Sequence, residues 1–367
     1  MLSVPERVLS LVEASGLTRR EFGQRIGLDE SKMSKSLSGA RRFSSVDLAR
    51  VAELCRVTVD WLITGEEPFL AVAARTTSGN AGAALDVAKR YGTLRTDMAA
   101  LGYSLPWRPR ITGLDMGGYA EQGRSMAWEA FTRVRESGRS IAVSNLVALV
   151  EEVFGVDVAV IELGAGFDGL AAFSEEVKLI VLGASHIPAR QRFTLAHELG
   201  HLLAGDDQEV HLDRDVYDRT QSKDPSELRA NAFASAFLMP EGLLRAAVDS
   251  VGLTEHTFVA LACDLMVTPS ALAYRLLHLR LIDAGTCDRY KTITGSKAAT
   301  MAGRGEEFAQ RVTEAGTPRP PGLLVRDTYA AYESGAATLR PYANLLGVDV
   351  DELRHALDSE HGIPDVS

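Results

Sequence analysis

The sequence predicts a mainly α protein in three parts: a five-helix N-terminal bundle, an α+β middle domain with a small three-stranded sheet, and a helical C-terminal tail. Three observations carry this. Residues 5–64 repeat short helical periods between capping residues and glycine stops. Residues 156–182 change to β-branched runs of strand length. Helical spacing then returns from about residue 189. At 367 residues the chain exceeds one ordinary core, which agrees with several domains.

The N-terminal elements follow from local chemistry. Thr18 and Glu21 form a capping box, in which hydroxyl and carboxylate satisfy each other's backbone donors. Gly27 stops that helix, Asp29 caps ESKMSKSL, and Ser44 opens SVDLARVAELC. Leu9, Phe22, Ile26, Met33, Leu37, Leu48, Val51, Leu54 and Trp61 fall at core-facing spacing. Residues 66–120 read as a linker with one helix, near 84–101. Helices are expected at about 121–137 and 144–154, then strands in VDVAVIEL, GLAAFS and VKLIVL. A helix over roughly 189–204 precedes an acidic loop, and another begins near Pro225. The middle domain is thus placed at 121–284. Residues 285–321, poor in apolar residues and ending in TPRPPG, read as a second linker. Residues 322–367 form the helical tail.

Composition narrows the function classes. Apolar residues make up 46% and charged residues 24%, a water-soluble balance. No apolar run approaches the roughly 18–20 residues of a membrane helix. Cys55, Cys263 and Cys287 are odd in number and form no CxxC pair, so reduced thiols and a cytoplasmic location are expected. The net charge of −10 is uneven: residues 1–65 hold ten basic against eight acidic side chains, leaving −12 on the remainder. An acidic body disfavours non-specific nucleic-acid binding. Any DNA contact falls to the N-terminal bundle.

The chemistry concentrates in RFTLAHELGHLLAG. His197 and His201, four residues apart on a helix, lie on one face at a spacing that can grip one metal ion. Glu198 is offset by about 100°, beside that face, where it can take a proton from attacking water and return one to a leaving amine. Leu195, Leu199 and Leu202 anchor the helix, and Gly200 is expected to leave room for a substrate backbone. A catalytic zinc needs a third protein ligand and an open position. Glu227, in PSELRANAFASAFLMPE, is the best candidate, with Asn231 one turn on to orient a ligand histidine. His211 and the carboxylates of Asp206, Asp207, Asp213 and Asp215 are other donors, in a loop without fixed geometry. Arg192, Tyr217, Tyr274 and His278 are conceivable oxyanion stabilisers. The lone His186, His256 and His278 are better explained as surface or core residues. A chance H-E-x-x-H in such a chain has odds on the order of 1%, so the motif alone is only moderately specific.

Together, QRFTLAHELGHLLAG and SELRANAFASAFLMP resemble the ImmA/IrrE family of metallo-endopeptidases, over about residues 120–280. The resemblance implies a zincin-like metallopeptidase domain, with zinc on His197, His201 and Glu227 and with Glu198 as catalytic base; Mn²⁺ also suits this donor set. It also implies a substrate class, helix-turn-helix repressors cleaved to derepress genes. Spacing and composition do not show that substrate.

Residues 18–39 have a helix-turn-helix layout, and residues 5–64 resemble the Cro/C1 (XRE-type) DNA-binding domain. By that match Glu30, Ser31, Lys32 and Lys35 face double-stranded operator DNA, with Arg19 and Ser34 on phosphates or bases. Arg41 and Arg42 would add phosphate contacts. Glu30 departs from the uncharged polar residue of many relatives; it can only accept, as from a cytosine amino group. Such domains read half-sites as dimers, so a homodimer is expected. The tail resembles that of relatives with this fused architecture, with packing or dimerisation as its default role. The whole reads as a DNA-binding regulator with zinc endopeptidase activity. The competing reading is a transcription factor whose zinc domain is a sensor or scaffold without proteolysis.

Overall fold

Ser3 opens the first helix, α1 (Val4–Ala14), through a capping box with Glu6. In the computed structural model it is followed by α2 (Arg19–Arg25), α3 (Glu30–Leu37), α4 (Ser45–Cys55) and α5 (Val59–Thr64). The structure describes residues 3–55, 57, 59–64, 80–107, 117–162, 167–205, 211–213 and 224–360. The Thr18–Glu21 box forms, with Thr18 N–H donating to Glu21 Oε2 at 3.0 Å and Glu21 N–H to Thr18 Oγ1 at 3.3 Å. Asp29 Oδ1 accepts from Lys32 N–H at 2.8 Å to start α3. Phe22, Ile26, Met33, Val51 and Leu62 form the buried centre. On α1, however, Val8 and Val12 fill this core, and Leu9 is only half-buried. The rotation brings Arg7 inside, where its Nε and Nη2 donate to the carbonyls of Leu62 and Ile63 and tie α1 to the end of α5.

The chain divides into two compact units, Met1–Thr77 and Ser78–Ser367. The second begins with α6 (Asn80–Ala100), α7 (Tyr119–Glu136) and α8 (Leu146–Phe154), the last capped by Asn145 Oδ1 on Ala148 N–H. Then come β1 (Asp157–Ile161), β2 (Gly169–Phe173), β3 (Lys178–Gly183), α9 (Pro188–Ala204), β4 (His211–Asp213) and α10 (Pro225–Leu238). The sheet order is β1-β3-β2-β4, with β1 parallel to β3 and the other pairs antiparallel. Successive residues of β1, β2 and β3 are buried, as in a sheet covered on both faces. The three expected strands form, and β4 adds a fourth from within the acidic loop by backbone pairing to β2. Strand formation there depends on that partner, and the loop's own composition carries no sign of it.

Helices α11 (Glu241–Val251), α12 (Glu255–Leu265) and α13 (Pro269–His278) follow. The stretch read as a second linker, 285–321, is instead folded. It holds α14 (Ala284–Tyr290), α15 (Gly295–Met301) and α16 (Gly305–Gly316), and Cys287, Tyr290, Ala298 and Ala299 join the main core. Tyr290 stacks on Phe258 with ring centroids 4.2 Å apart. The first two are short and capped by Asp283 and Thr294, and each of the three buries only one or two side chains, so their apolar content is low.

The tail comprises α17 (Gly322–Glu333), α18 (Arg340–Leu346) and α19 (Val350–Glu360). It is bound into the unit. Arg319 and Val160 exchange both backbone hydrogen bonds at 2.9 Å, which covers the open edge of β1. Arg319 pairs with Glu151 at 2.8 Å, and Gly322 N–H donates to Glu151 Oε1 at 2.6 Å. Arg95 of α6, fully buried, bonds both Asp157 of β1 (2.7 Å) and Asp327 of α17 (2.6 Å). Among the described residues, no single helix is long and apolar enough to cross a membrane. The three cysteines are free thiols.

Candidate metal centre

Two helices build the site. Pro188 begins α9 at its first turn and Gly205 ends it in the left-handed conformation. Its inner surface packs on β2 and β3, and Leu195, Leu199 and Leu202 are buried there as expected. Asp224 caps α10 by accepting from Ser226 N–H at 2.9 Å, and Pro225 stands at its first position. Glu227 thereby falls in the first turn of α10, aimed at α9.

The spacing between these helices is set by glycines. A methyl group on Gly200 would stand 3.0 Å from Phe233 Cδ1 and 3.4 Å from Ala230 Cα, so α10 lies directly on this position. Gly200 therefore serves helix packing; the expectation that it leaves space for a substrate backbone is corrected. Where α7 packs on α10, a Cβ on Gly123 of α7 would meet Arg229 O at 2.2 Å. Neither contact was legible in the sequence, because each depends on a helix distant along the chain.

His197, His201 and Glu227 converge. The two Nε2 atoms are 3.0 Å apart, Glu227 Oε2 lies 3.4 Å from His197 Nε2, and Glu227 Oε1 lies 3.4 Å from His201 Nε2. One ligand atom from each lies within 4.8 Å of the others, and all three side chains are buried. These spacings suit a tetrahedral ion: bonds of 2.0–2.1 Å at tetrahedral angles separate ligand atoms by about 3.3 Å. Two imidazoles and a carboxylate, all buried, are also the donor chemistry of a catalytic zinc site. Glu198 is fully buried on the same turn, and its Oε1 lies 3.0 Å from where a Cβ on Gly169 of β2 would sit. Gly169 thus makes room for the Glu198 carboxylate. In the sequence it had read only as the first residue of the strand GLAAFS.

The remaining candidates separate. Asn231 is half-buried and makes no side-chain hydrogen bond to either histidine among the described residues. Arg192 is buried and donates to the carbonyls of Val143 and Ile141 at 2.8 and 3.2 Å, which ties α9 to the α7–α8 connection. Tyr274 and His278 are exposed on α13, which packs on α12 and α14. Asp206, Asp207, Asp215 and Tyr217 lie outside the described residues, as do the side chains of His211 and Asp213.

In the N-terminal unit, Arg19, Glu30, Ser31, Lys32, Ser34 and Lys35 are all exposed, the last five along α3. Lys32 Nζ pairs with Asp29 at 3.0 Å on the open surface, where such a pair contributes little. Arg41 is instead half-buried, held by Asp47 at 2.9 Å and Ser36 Oγ at 2.8 Å, while Arg42 is exposed.

Comparison with known proteins agrees with this division. Residues 151–277 match the family model described as IrrE N-terminal-like domain, of peptidase family M78, and residues 7–62 match a helix-turn-helix domain model. The radiation response metalloprotease IrrE of Deinococcus radiodurans is 36% identical over 130 residues, covering 35% of this chain and 39% of the relative. Its namesake from Deinococcus deserti is 30% identical over 174 residues, covering 43% of this chain and 60% of the relative. The chain therefore spans less than two thirds of either relative. It carries an IrrE-like domain of the M78 metallopeptidase family together with an N-terminal helix-turn-helix domain.

Proposed function

We propose that this chain is a DNA-binding regulator whose metal centre hydrolyses a peptide bond in a protein substrate, of the helix-turn-helix repressor class. The observation that carries the reading is the convergence of His197, His201 and Glu227 with a buried Glu198 on the adjoining turn. A structural zinc site closes with four protein ligands and needs no general base. Among the described residues three donors converge, and a carboxylate stands next to them.

In this reading His197, His201 and Glu227 hold zinc, with manganese as the alternative ion. The bound ion supplies Lewis acidity, polarising the scissile carbonyl and making water a stronger acid near neutral pH. Glu198 accepts the proton of the attacking water and delivers it to the leaving amine. Its burial beside Gly169 holds the carboxylate in place for both transfers. The exposed α3 face, with Lys32 and Lys35, docks the N-terminal domain on operator DNA, as a homodimer, and brings the peptidase to its regulatory target. The relatives' names, radiation response metalloproteases, support a proteolytic response role.

The test replaces the wild-type protein in cells with Glu198→Gln and compares the proteomes by mass spectrometry. A protein with a helix-turn-helix domain should accumulate intact in the variant. If no protein does, proteolysis is rejected and the zinc domain acts as sensor or scaffold.

A further inference from the structure

A cavity of about 350 Å³ lies between the first turns of α8 and α9, the β1 edge of the sheet and α16. None of His197, Glu198, His201 and Glu227 lines it. Val160 and Leu182 of the sheet and Leu195 of α9 give it an apolar wall, and three cations, Arg192, Arg311 and Arg319, also line it.

The charge balance of these cations is uneven. Arg319 is neutralised by Glu151. Arg192, only 7% exposed, bonds two carbonyls, but its Nε has no hydrogen-bond partner and no carboxylate pairs with its guanidinium among the described residues. Burial, with the nearby Arg311 adding repulsion, lowers its pKa to about 10. Arg311 is half-buried, donates only to the carbonyls of Glu307 and Cys263, and has no ion pair among the described residues. The acid among the lining residues, Glu314, is exposed and accepts from Gln310. The first turns of α8 and α9 present the positive ends of two helices to the same space. A buried guanidinium without a counter-charge is costly, and an anion brought beside it removes that cost.

We propose that this cavity is a binding site for a small organic carboxylate: an anionic head between Arg192 and Arg311, and a compact apolar body against Val160, Leu182 and Leu195. The site is separate from the metal centre, and its occupancy does not depend on peptidase activity.

Isothermal titration of the full chain with hexanoate, in metal-loaded and metal-free forms, tests this. Both forms should bind one hexanoate per chain with equal affinity. Arg311→Leu should weaken binding by about tenfold or more, the loss of one charge-assisted contact, while Arg311→Lys retains most of it. Val147→Trp, which fills the cavity without removing a charge, should abolish binding. The proposal is overturned if wild type binds no hexanoate, if Arg311→Leu or Val147→Trp binds as wild type does, or if 1-hexanol binds as tightly. Binding that vanishes in the metal-free chain would place the carboxylate on the metal and overturn it equally.

Discussion

Gly123 on α7 faces the carbonyl of Arg229 on α10 so closely that a methyl group there would stand 2.2 Å from the oxygen. Arg229 is two residues beyond Glu227, so this contact fixes how far the Glu227 turn reaches toward α9. Gly123→Ala should cost about 1–3 kcal/mol of stability through overpacking. It should also weaken metal binding, because relief requires α10 to move. Thermal unfolding with and without zinc checks both: the zinc-induced rise in Tm should shrink along with the Tm of the metal-free protein.

Arg95 links three segments distant in sequence. Removing it leaves Asp157 buried without its cation and Asp327 with only the exposed Arg326, and burial already raises the Asp157 pKa against the pull of Arg95. Arg95→Met should destabilise the second unit by about 3–5 kcal/mol. Urea unfolding of the full chain measures this, and Asp327→Asn should cost less because the guanidinium keeps Asp157.

The N-terminal unit should be sensitive to acid. Hydrogen bonds from the Thr18 hydroxyl and N–H hold Glu21 below its ordinary 4.5, and Lys32 N–H holds Asp29 below 3.8. Burial raises Asp47, but bonds from Ser44 and Arg41 outweigh it and leave it lowered from 3.8. Folded-state pKa values below the unfolded ones give stability that is present above about pH 4.5 and lost as pH falls through the folded values. NMR amide signals of residues 4–62, followed in urea at pH 7 and pH 3, should show the lower midpoint at pH 3.

Lys32 and Lys35 are exposed on α3, the helix proposed to enter the major groove. Lys32→Ala with Lys35→Ala should abolish a gel shift on the chain's own promoter region at moderate salt. At low salt, where residual binding is measurable, the slope of log affinity against log salt should flatten by about 1.8 for two lost phosphate contacts. An unchanged shift would reject this docking face.

Where local chemistry decides, the sequence was informative. The α2 and α3 caps, the strands and the α9 spacing of His197 and His201 all follow from residues within a few positions of one another. Glu227 was legible as a candidate because a capped helix with a glutamate in its first turn is itself a local pattern. Features made by distant contacts were hidden. Gly123 and Gly200 gain meaning only against α10, Gly169 only against Glu198, and Arg95 only when β1 and α17 meet. Asn231 illustrates the converse: the same-face spacing is real, but it leaves the amide without a bond to either histidine. Residues 285–321 misled because their helices each bury only one or two side chains.

Metal content of purified variants tests the centre most directly. By inductively coupled plasma mass spectrometry, wild type and Glu198→Gln should each carry one zinc per chain, and His197→Ala and Glu227→Ala should carry almost none. Zinc retained at wild-type level by Glu227→Ala, or lost from Glu198→Gln, would contradict the assignment of three ligands and a separate base.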